Sequence, residues 1–331
     1  MTKPGRLETR HFRGQQCGVG RPDSVAGTPA MTAGFRRNRL PLFLLAISML
    51  AVGCDPYRVV KYDSSNQDSR VDYLVIHFTS GDFAESLRQL TQPSSNPVSS
   101  HYLIPESDDP GYTRRRLQIH QLVPENRRAW HAGRSAWGEK VELNDGSIGI
   151  ELVNVSRCAY DDPNAAGLTP VEAACEFRDF DEAQIDLLIV LVRDILERYP
   201  DLDPVDVVGH ADIAPARKVD PGPTFPWKRL YDEGIGAWYD AETVEKYRER
   251  FRDGPPDIET IRQGLKLYGY PVAACGGMDI ELQQVLRAFQ MHFVPGAISL
   301  QPDAETAALL FALLEKYRDE QFADLGKDSA C

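Results

Sequence analysis

Between residues 71 and 210 the chain carries five short segments rich in β-branched and aromatic residues, a composition typical of β-strands. A long amphipathic helix is predicted over 182–199, because its apolar residues recur at steps of three and four positions. Asp181 is suited to cap the start of this helix, and Pro200 to end it. Strands mixed with helices indicate an α/β fold, which we expect to be a mixed central β-sheet flanked by helices. The predicted strands are VDYLVIHF (71–78), HYLI (101–104), LQIHQL (117–122), SIGIELVN (147–154) and VDVVGH (205–210).

After residue 235 the strand patterns give way to short helical ones. A charged helix is predicted over 241–252, and the sequence Asp-Gly-Pro-Pro that follows is typical of a linker. A chain of 331 residues is long enough for two domains. We therefore predict an α/β domain at 71–235, a linker at 236–256, a second, small all-helical domain at 257–317 and a polar tail at 318–331. The predicted helices of the second domain span 258–270, 279–293 and 303–317.

The segment 31–53 has the pattern of a secretory signal peptide. Three arginines between positions 36 and 39 precede an apolar run at 40–53, which is shorter than the ~20 residues that a membrane-spanning helix needs. The run ends in Ala-Val-Gly before Cys54, which resembles a bacterial lipobox, although Ala51 stands where leucine is usual. This resemblance implies cleavage before Cys54 and a lipid on its sulfur. The alternative is a buried segment with a free thiol.

The regions on either side of the signal peptide are polar and lack periodicity. Residues 1–30 are rich in glycine, arginine and proline, and Met31 would start a signal peptide of normal length. We expect 1–30 to be a non-translated or disordered leader, and 54–70 to be a tether. Because 1–53 carry eight Lys or Arg and two Asp or Glu, removing them changes the formal net charge from −12 to −18. An acidic chain without a basic block argues against a nucleic-acid partner.

The chain has six cysteines, whose meaning depends on the compartment. In an oxidising compartment Cys158 and Cys175 would form a local disulfide. Free buried thiols are the alternative. The spacing of the cysteines does not suggest a zinc cluster.

His77 and His210 each end a strongly apolar strand pattern, where a loop exposes side chains at the rim of a sheet. A histidine in a strand is more often structural, and His120 also lies in a strand pattern. After His210, however, a proline-rich loop brings Lys218 and Asp220 two residues apart. Two histidines and one carboxylate leave an open fourth position on a tetrahedral zinc ion, the arrangement of a catalytic site.

Several segments, in a consistent order over about 165 residues, resemble the zinc-dependent N-acetylmuramoyl-L-alanine amidases of the amidase type 2 family, especially its lipoprotein branch. The C-terminal helical region resembles the peptidoglycan-binding type 1 domain through AFQ (288–290) and PDAETAALL (302–310). The amidase-like segments are VIHFTS (75–80), VSSHYLI (98–104), LVPENRRAWHAG (122–133), SIGIELVN (147–154), GHADIAPARKVDPGPTFPWKRL (209–230) and GIGAWY (234–239).

The resemblance implies a zinc cofactor bound by His77, His210 and Asp220. It also implies that Glu151 and Lys218 are the catalytic pair. Glu151 would be the general base that moves a proton from water to the leaving amine, and Lys218 would stabilise the oxyanion. The alternative for Glu151 is a strand carboxylate with a structural partner, but an acid in this apolar strand is expensive to bury without a purpose.

Three further residues are candidates for substrate binding. Trp130 and His131 would line the substrate groove, with the indole stacking on a sugar or peptide. His101 belongs to the same group, although we expect it to brace the site through a hydrogen bond rather than to touch the substrate. A purely structural role is the alternative for each. Trp227 and Trp238 are expected in the core.

The resemblance implies hydrolysis of the amide between N-acetylmuramic acid and L-alanine in peptidoglycan or its fragments. We expect a monomer in the cell envelope, anchored by its N-terminal lipid to a membrane facing the periplasm. One alternative is a peptidoglycan-recognition lipoprotein without catalysis. Another is a general metallopeptidase, although the commonest class of these carries H-E-x-x-H, which the sequence lacks.

Overall fold

The computed structural model describes residues 59–62, 64–158, 174–294, 296 and 298–325. Its contacts divide the chain into two units, Met1–Asp63 and Ser64–Cys331. The predicted leader, the signal peptide at 31–53 and the lipidation site Cys54 lie outside the described residues. Among the described residues, no helix is both long enough and apolar enough to cross a membrane.

The predicted strands and helices are present in the second unit, mostly with shorter bounds, together with short strands and helices that the sequence did not predict. The strands are β1 (Tyr73–Phe78), β2 (Tyr102–Ile104), β3 (His120–Gln121), β4 (Ala136–Trp137), β5 (Lys140–Val141), β6 (Ser147–Leu152), β7 (Arg157–Cys158), β8 (Cys175–Glu176) and β9 (Val207–Gly209). The α-helices are α1 (Phe83–Thr91), α2 (Glu182–Arg198), α3 (His210–Ile213), α4 (Trp227–Asp232), α5 (Ala241–Arg250), α6 (Ile258–Tyr268), α7 (Ile280–Phe293), α8 (Ala304–Tyr317) and α9 (Asp319–Phe322).

Five of the strands form a central sheet in the order β3-β2-β6-β1-β9. The pairs β2/β6, β6/β1 and β1/β9 are parallel, and β3 joins β2 antiparallel. The predicted mixed sheet is therefore confirmed. All six residues of β1 are buried, as expected for a central strand covered on both faces. The carboxyl ends of β1, β6 and β9 lie next to one another, which is where open α/β sheets place their ligands.

Helix α2 shows how local signals determine an element. Asp181 caps it, since its side chain accepts a hydrogen bond from the backbone of Ala183, and the helix ends before Pro200 as predicted. Its apolar stripe is buried, and Gln184 donates two hydrogen bonds to backbone carbonyls next to the sheet. These bonds anchor the helix to the strand ends as well as to the core.

The C-terminal helices begin at well-formed caps. Asp257, Asp279 and Asp303 each precede a helix and accept a hydrogen bond from a backbone N–H of its first turn. The buried apolar side chains of these helices belong to the same continuous core as those of the sheet. Trp227 and Trp238 lie in this core, as predicted. The predicted domain boundaries stay a prediction, but the two regions are packed against each other within one compact unit.

The short strands β7 and β8 pair antiparallel, and the disulfide between Cys158 and Cys175 joins them. This is the local pair that the sequence suggested. It closes the segment that leads from the sheet to α2.

Candidate active site

The three predicted metal ligands meet at the carboxyl edge of the sheet. His77 is the fifth residue of β1, and His210 directly follows the neighbouring strand β9. The Nδ1 atoms of the two histidines are 2.9 Å apart, and Asp220 Oδ2 lies 3.1 Å from His77 Nδ1 and 3.0 Å from His210 Nδ1. All three side chains are buried.

A tight turn holds His210 and Asp220 together. The backbone N–H of Ala211 donates to the carbonyl of Asp220 over 2.8 Å, so the loop between the two ligands is closed by its own main chain. Gly209 allows this closure because a Cβ atom there would lie 2.6 Å from Pro221 Cδ, inside van der Waals contact. Gly209, which precedes His210, is therefore required because Pro221, which follows Asp220, packs closely against it.

A chain of hydrogen bonds determines which nitrogen of His77 carries its proton. Ser147 Oγ donates to the carbonyl of Leu143 over 2.6 Å, so it accepts from His131 Nε2 at 3.2 Å. His131 Nδ1 then has a lone pair, which accepts from His77 Nε2 at 3.0 Å. We infer that His77 is protonated on Nε2 and that its Nδ1 presents a lone pair to the site.

The outer nitrogen of His210 also faces an acceptor. His210 Nε2 lies 3.1 Å from the carbonyl of Ala132, which can only accept. Arg217 Nη2 is 3.3 Å from the same nitrogen, but it donates to the carbonyls of Ala132 and Arg134. The proton of His210 is therefore assigned to Nε2, and its Nδ1 is also a lone pair.

Two imidazole lone pairs and a carboxylate oxygen thus converge within hydrogen-bond distance, with no assigned proton between them. Such a group of acceptors is suited to bind a cation. Two nitrogens and one carboxylate oxygen form the donor set of catalytic zinc sites. The residues therefore fit the zinc ion that the sequence predicted.

The protonation states favour metal binding. Burial lowers the pKa of His210 to about 3, against the opposing influence of Asp220, and also lowers the pKa of His131 well below its usual value. Burial opposes ionisation of Asp220, but the adjacent imidazoles of His210 and His77 hold its pKa well below the usual range. Neutral histidines and an ionised aspartate are the forms that bind a metal.

Glu151 lies beside this cluster as the register partner of His77 on β6. Its Oε2 is inaccessible to solvent and has no hydrogen-bond partner among the described residues. Burial raises the pKa of Glu151 to about 7, with Asp220 acting in the same direction and His77 and Lys218 against it. A carboxyl group that titrates near neutral pH is suited to take up and release a proton in catalysis.

An open cavity of about 410 Å³ connects these groups to solvent. All three candidate ligands, Glu151, Lys218, Trp130 and His131 line it, and the remaining wall comes mainly from α1 and the loop after it. Trp130 is 48% exposed, so it is accessible to a substrate. The structure therefore brings together all the predicted metal, catalytic and groove residues except one.

The exception is His101, which is fully buried and does not line the cavity. Its Nε2 bonds to the carbonyl of Arg127 over 3.0 Å, and its Nδ1 accepts the N–H of Gly149. Both ring nitrogens are therefore used by the backbone. These contacts agree with the bracing role expected for His101, and its contact with a substrate stays a prediction.

Sequence reasoning missed several residues that hold the site. Asn144 Oδ1 accepts the N–H groups of both His131 and Ala132, and so fixes the segment behind the two ligand histidines. Ser147 orients His131, and Asp212 contacts the turn around His210. Ser147 lies within a recognised segment, but nothing in its residue type marked it, because its importance depends on contacts made only in the fold.

The mixed α/β sheet has three side chains at its carboxyl edge that could hold a metal ion, beside a carboxyl of raised pKa and a lysine. This arrangement is typical of the active site of a hydrolase. Comparison with known proteins agrees. Residues 67–223 match the family model described as N-acetylmuramoyl-L-alanine amidase. The chain is 42% identical over 286 residues to N-acetylmuramoyl-L-alanine amidase AmiD of Escherichia coli, covering 83% of this chain and 97% of the relative. The chain belongs to the N-acetylmuramoyl-L-alanine amidase family.

Two solved structures extend this similarity to the fold. The crystal structure of AmpDh3 from Pseudomonas aeruginosa superposes with a TM-score of 0.69 at 44% identity, covering 82% of this chain and all of that one. The structure of AmiD from E. coli, in complex with the substrate anhydro-N-acetylmuramic acid-L-Ala-D-γ-Glu-L-Lys, has a TM-score of 0.65 at 43% identity and covers 78% and 93% of the two chains. The fold prediction is confirmed, and an enzyme is favoured over a recognition protein without catalysis.

Proposed function

We propose that this protein is a zinc-dependent amidase that hydrolyses the bond between N-acetylmuramic acid and L-alanine in peptidoglycan or its fragments. The observation that carries the proposal is the convergence of His77, His210 and Asp220 beside Glu151 in one open cavity. The complex of AmiD with an anhydromuramyl peptide supports fragments with anhydro ends as substrates. AmpDh3 in complex with an anhydromuramic pentapeptide supports the same class.

Zinc held by His77 Nδ1, His210 Nδ1 and Asp220 would supply a Lewis acid and lower the pKa of water to about 7. Glu151 accepts the proton of the attacking water, with its pKa of about 7 favouring transfer in either direction. It then delivers that proton to the nitrogen of L-alanine as the carbon–nitrogen bond breaks. Lys218, on the same cavity wall, stabilises the negative charge that develops on the lactyl carbonyl oxygen.

Trp130 is the residue we assign to substrate contact at the mouth of the cavity. Trp130 is half exposed, whereas the candidate ligands in the same cavity are buried. An aromatic face at the rim of a polar cavity suits the apolar face of a sugar ring or a peptide side chain. His131 reaches the same cavity but is held behind His77, so its first role is to orient that ligand.

We also propose that the mature protein is a monomeric lipoprotein of the cell envelope, anchored through Cys54 and facing the periplasm. The signal-peptide pattern at 31–53 supports this location. The disulfide between Cys158 and Cys175 agrees with an oxidising compartment. The helices at 257–317 would bind peptidoglycan and raise the local concentration of substrate around the tethered enzyme.

The test is digestion of purified sacculi by the full-length protein in mild detergent, with and without a chelator. Release of free stem peptides that the chelator abolishes and added zinc restores is the expected result. Binding to sacculi without peptide release by a zinc-loaded sample would contradict the proposal and favour the recognition protein.

A further inference from the structure

Asp212 connects the ligand loop to the C-terminal helices. It lies two residues after His210, is buried and accepts three hydrogen bonds. The backbone N–H of Gly209 donates to Oδ2 over 2.7 Å, His292 Nδ1 donates to Oδ2 over 2.8 Å, and Tyr270 Oη donates to Oδ1 over 2.8 Å. One of these donors belongs to the ligand turn, and the other two belong to residues 58 and 80 positions further along the chain.

Towards the metal site, Asp212 fixes the backbone before and after His210. Its bond to Gly209 closes the turn in which His210 lies. Ala211, which lies between His210 and Asp212, donates its N–H to the carbonyl of Asp220, the other candidate ligand of this loop. A shift of the Asp212 carboxylate would therefore move both ligands relative to His77, which β1 holds in place.

On the other side, the two donors are rigidly packed. Tyr270 follows α6, is 1% exposed and makes an edge contact with Trp137 at 4.9 Å between ring centroids. His292 lies near the end of α7 and stacks on Trp227 at 3.8 Å with an interplanar angle of 13°. These rings are held by the core, so their donor atoms define a position for the carboxylate.

We propose that Tyr270 and His292 are positioning residues for the metal site, acting through Asp212. The C-terminal helices then have a second role besides any binding of the polymer, because they set the geometry of His210 and Asp220. The inference rests on the proposed zinc amidase. If Tyr270 and His292 have this role, the C-terminal helices contribute to the zinc affinity of the site. A peptidoglycan-binding domain that did not contact the metal site would make no such contribution.

The experiment compares zinc affinity, by competition with a chromophoric chelator, in full-length wild-type protein, Tyr270→Phe and His292→Leu. Tyr268→Phe is the matched control, because Tyr268 is an equally buried tyrosine of the same region whose hydroxyl does not bond to Asp212. His292→Asn is the conservative variant, since its amide N–H can replace Nδ1–H as a donor.

Tyr270→Phe and His292→Leu are expected to bind zinc about 10-fold more weakly, by analogy with the effect of removing outer hydrogen bonds at metal sites. His292→Asn should recover most of this loss, and Tyr268→Phe should match wild type. With the zinc concentration limiting, kcat should fall in the two affected variants while KM for a muropeptide stays unchanged.

Equal zinc affinity in wild type, Tyr270→Phe and His292→Leu would overturn the positioning role while leaving the amidase proposal intact. Loss of affinity in Tyr268→Phe as large as in Tyr270→Phe would also overturn it, because the effect would then follow general packing. Absence of zinc binding by wild type would instead contradict the proposed function itself, and with it this inference.

Discussion

His77 and Glu151 are paired residues on the adjacent parallel strands β1 and β6. Paired residues of neighbouring strands project from the same face of a sheet, so backbone pairing alone brings a candidate metal ligand and the candidate base to one cavity. The third strand of this edge, β9, leads directly into His210. Two of the five metal and catalytic residues therefore lie on strands, which hold side chains more rigidly than loops do.

Replacement of Glu151 by glutamine is expected to lower kcat by about 10²- to 10⁴-fold, because the amide cannot take the proton of the attacking water. Zinc content and KM for a muropeptide should stay near wild type, since Glu151 is not a ligand. Steady-state kinetics with a metal assay on the same samples checks this. A variant with full activity would exclude the role assigned to Glu151.

The same substitution should stabilise the metal-free protein at neutral pH. Burial raises the pKa of Glu151 from its usual value near 4.5 to about 7, so between these values the folded state holds a proton that the unfolded state has lost. The contribution of Glu151 to the stability of the metal-free wild type therefore falls as pH rises from about 4.5 to about 7, and stays lower above it.

Denaturant unfolding of chelator-treated wild type and Glu151→Gln at pH 4 and pH 8 tests this linkage. The variant should gain on the order of 3 kcal/mol relative to wild type at pH 8. At pH 4, where the wild-type carboxyl is protonated in both states, the two proteins should be similar. If the difference in unfolding free energy between the two proteins did not depend on pH, the ionised carboxylate of Glu151 would not be its cause.

His131→Leu is expected to weaken zinc binding by about 10- to 100-fold, because His77 loses the acceptor that holds its Nε2 proton. Ser147→Ala should have a smaller effect in the same direction, since His131 keeps its place but loses its own partner. His120→Asn, on the edge strand β3, is the control. Competition with a chelator measures the zinc affinity of all three variants. An unchanged affinity in His131→Leu would refute the role of the hydrogen-bonded chain that joins Ser147, His131 and His77.

Gly209→Ala should destabilise the protein by about 1–3 kcal/mol, because the new methyl group would lie 2.6 Å from Pro221 Cδ. Relief of this clash must move the residue that follows Asp220, so zinc affinity should fall as well. Gly277→Ala is the matched control, since a Cβ there meets nothing within 4 Å. Thermal unfolding and zinc titration of both variants give the comparison.

The parts of the site that could be predicted from the sequence are those set by local pattern. His77 and His210 were recognisable because each ends an apolar strand, and α2 because its caps and period are both strong. The resemblance to the family added Glu151 and its assignment, with Lys218, as the catalytic pair. Both kinds of signal lie within short segments of the chain.

The rest depends on contacts between distant segments. His101 and His131 lie in equally recognisable segments, yet one bonds only to backbone and the other to a metal ligand. Asp212 is joined to Tyr270 and His292 only after the C-terminal helices have packed. No spacing in the sequence indicates such a link, because it arises from tertiary packing and not from periodicity.

The central claim is hydrolysis of the muramyl–alanine amide at this site, and isotope labelling tests it most directly. A defined anhydromuramyl peptide is incubated with zinc-loaded full-length protein in ¹⁸O-enriched water, and the masses of the products are determined by mass spectrometry. The account predicts a free peptide with an N-terminal L-alanine and one ¹⁸O atom in the lactyl carboxylate of the muramic product, with no turnover by His210→Ala. Label in the peptide, or cleavage at any other bond, would contradict it.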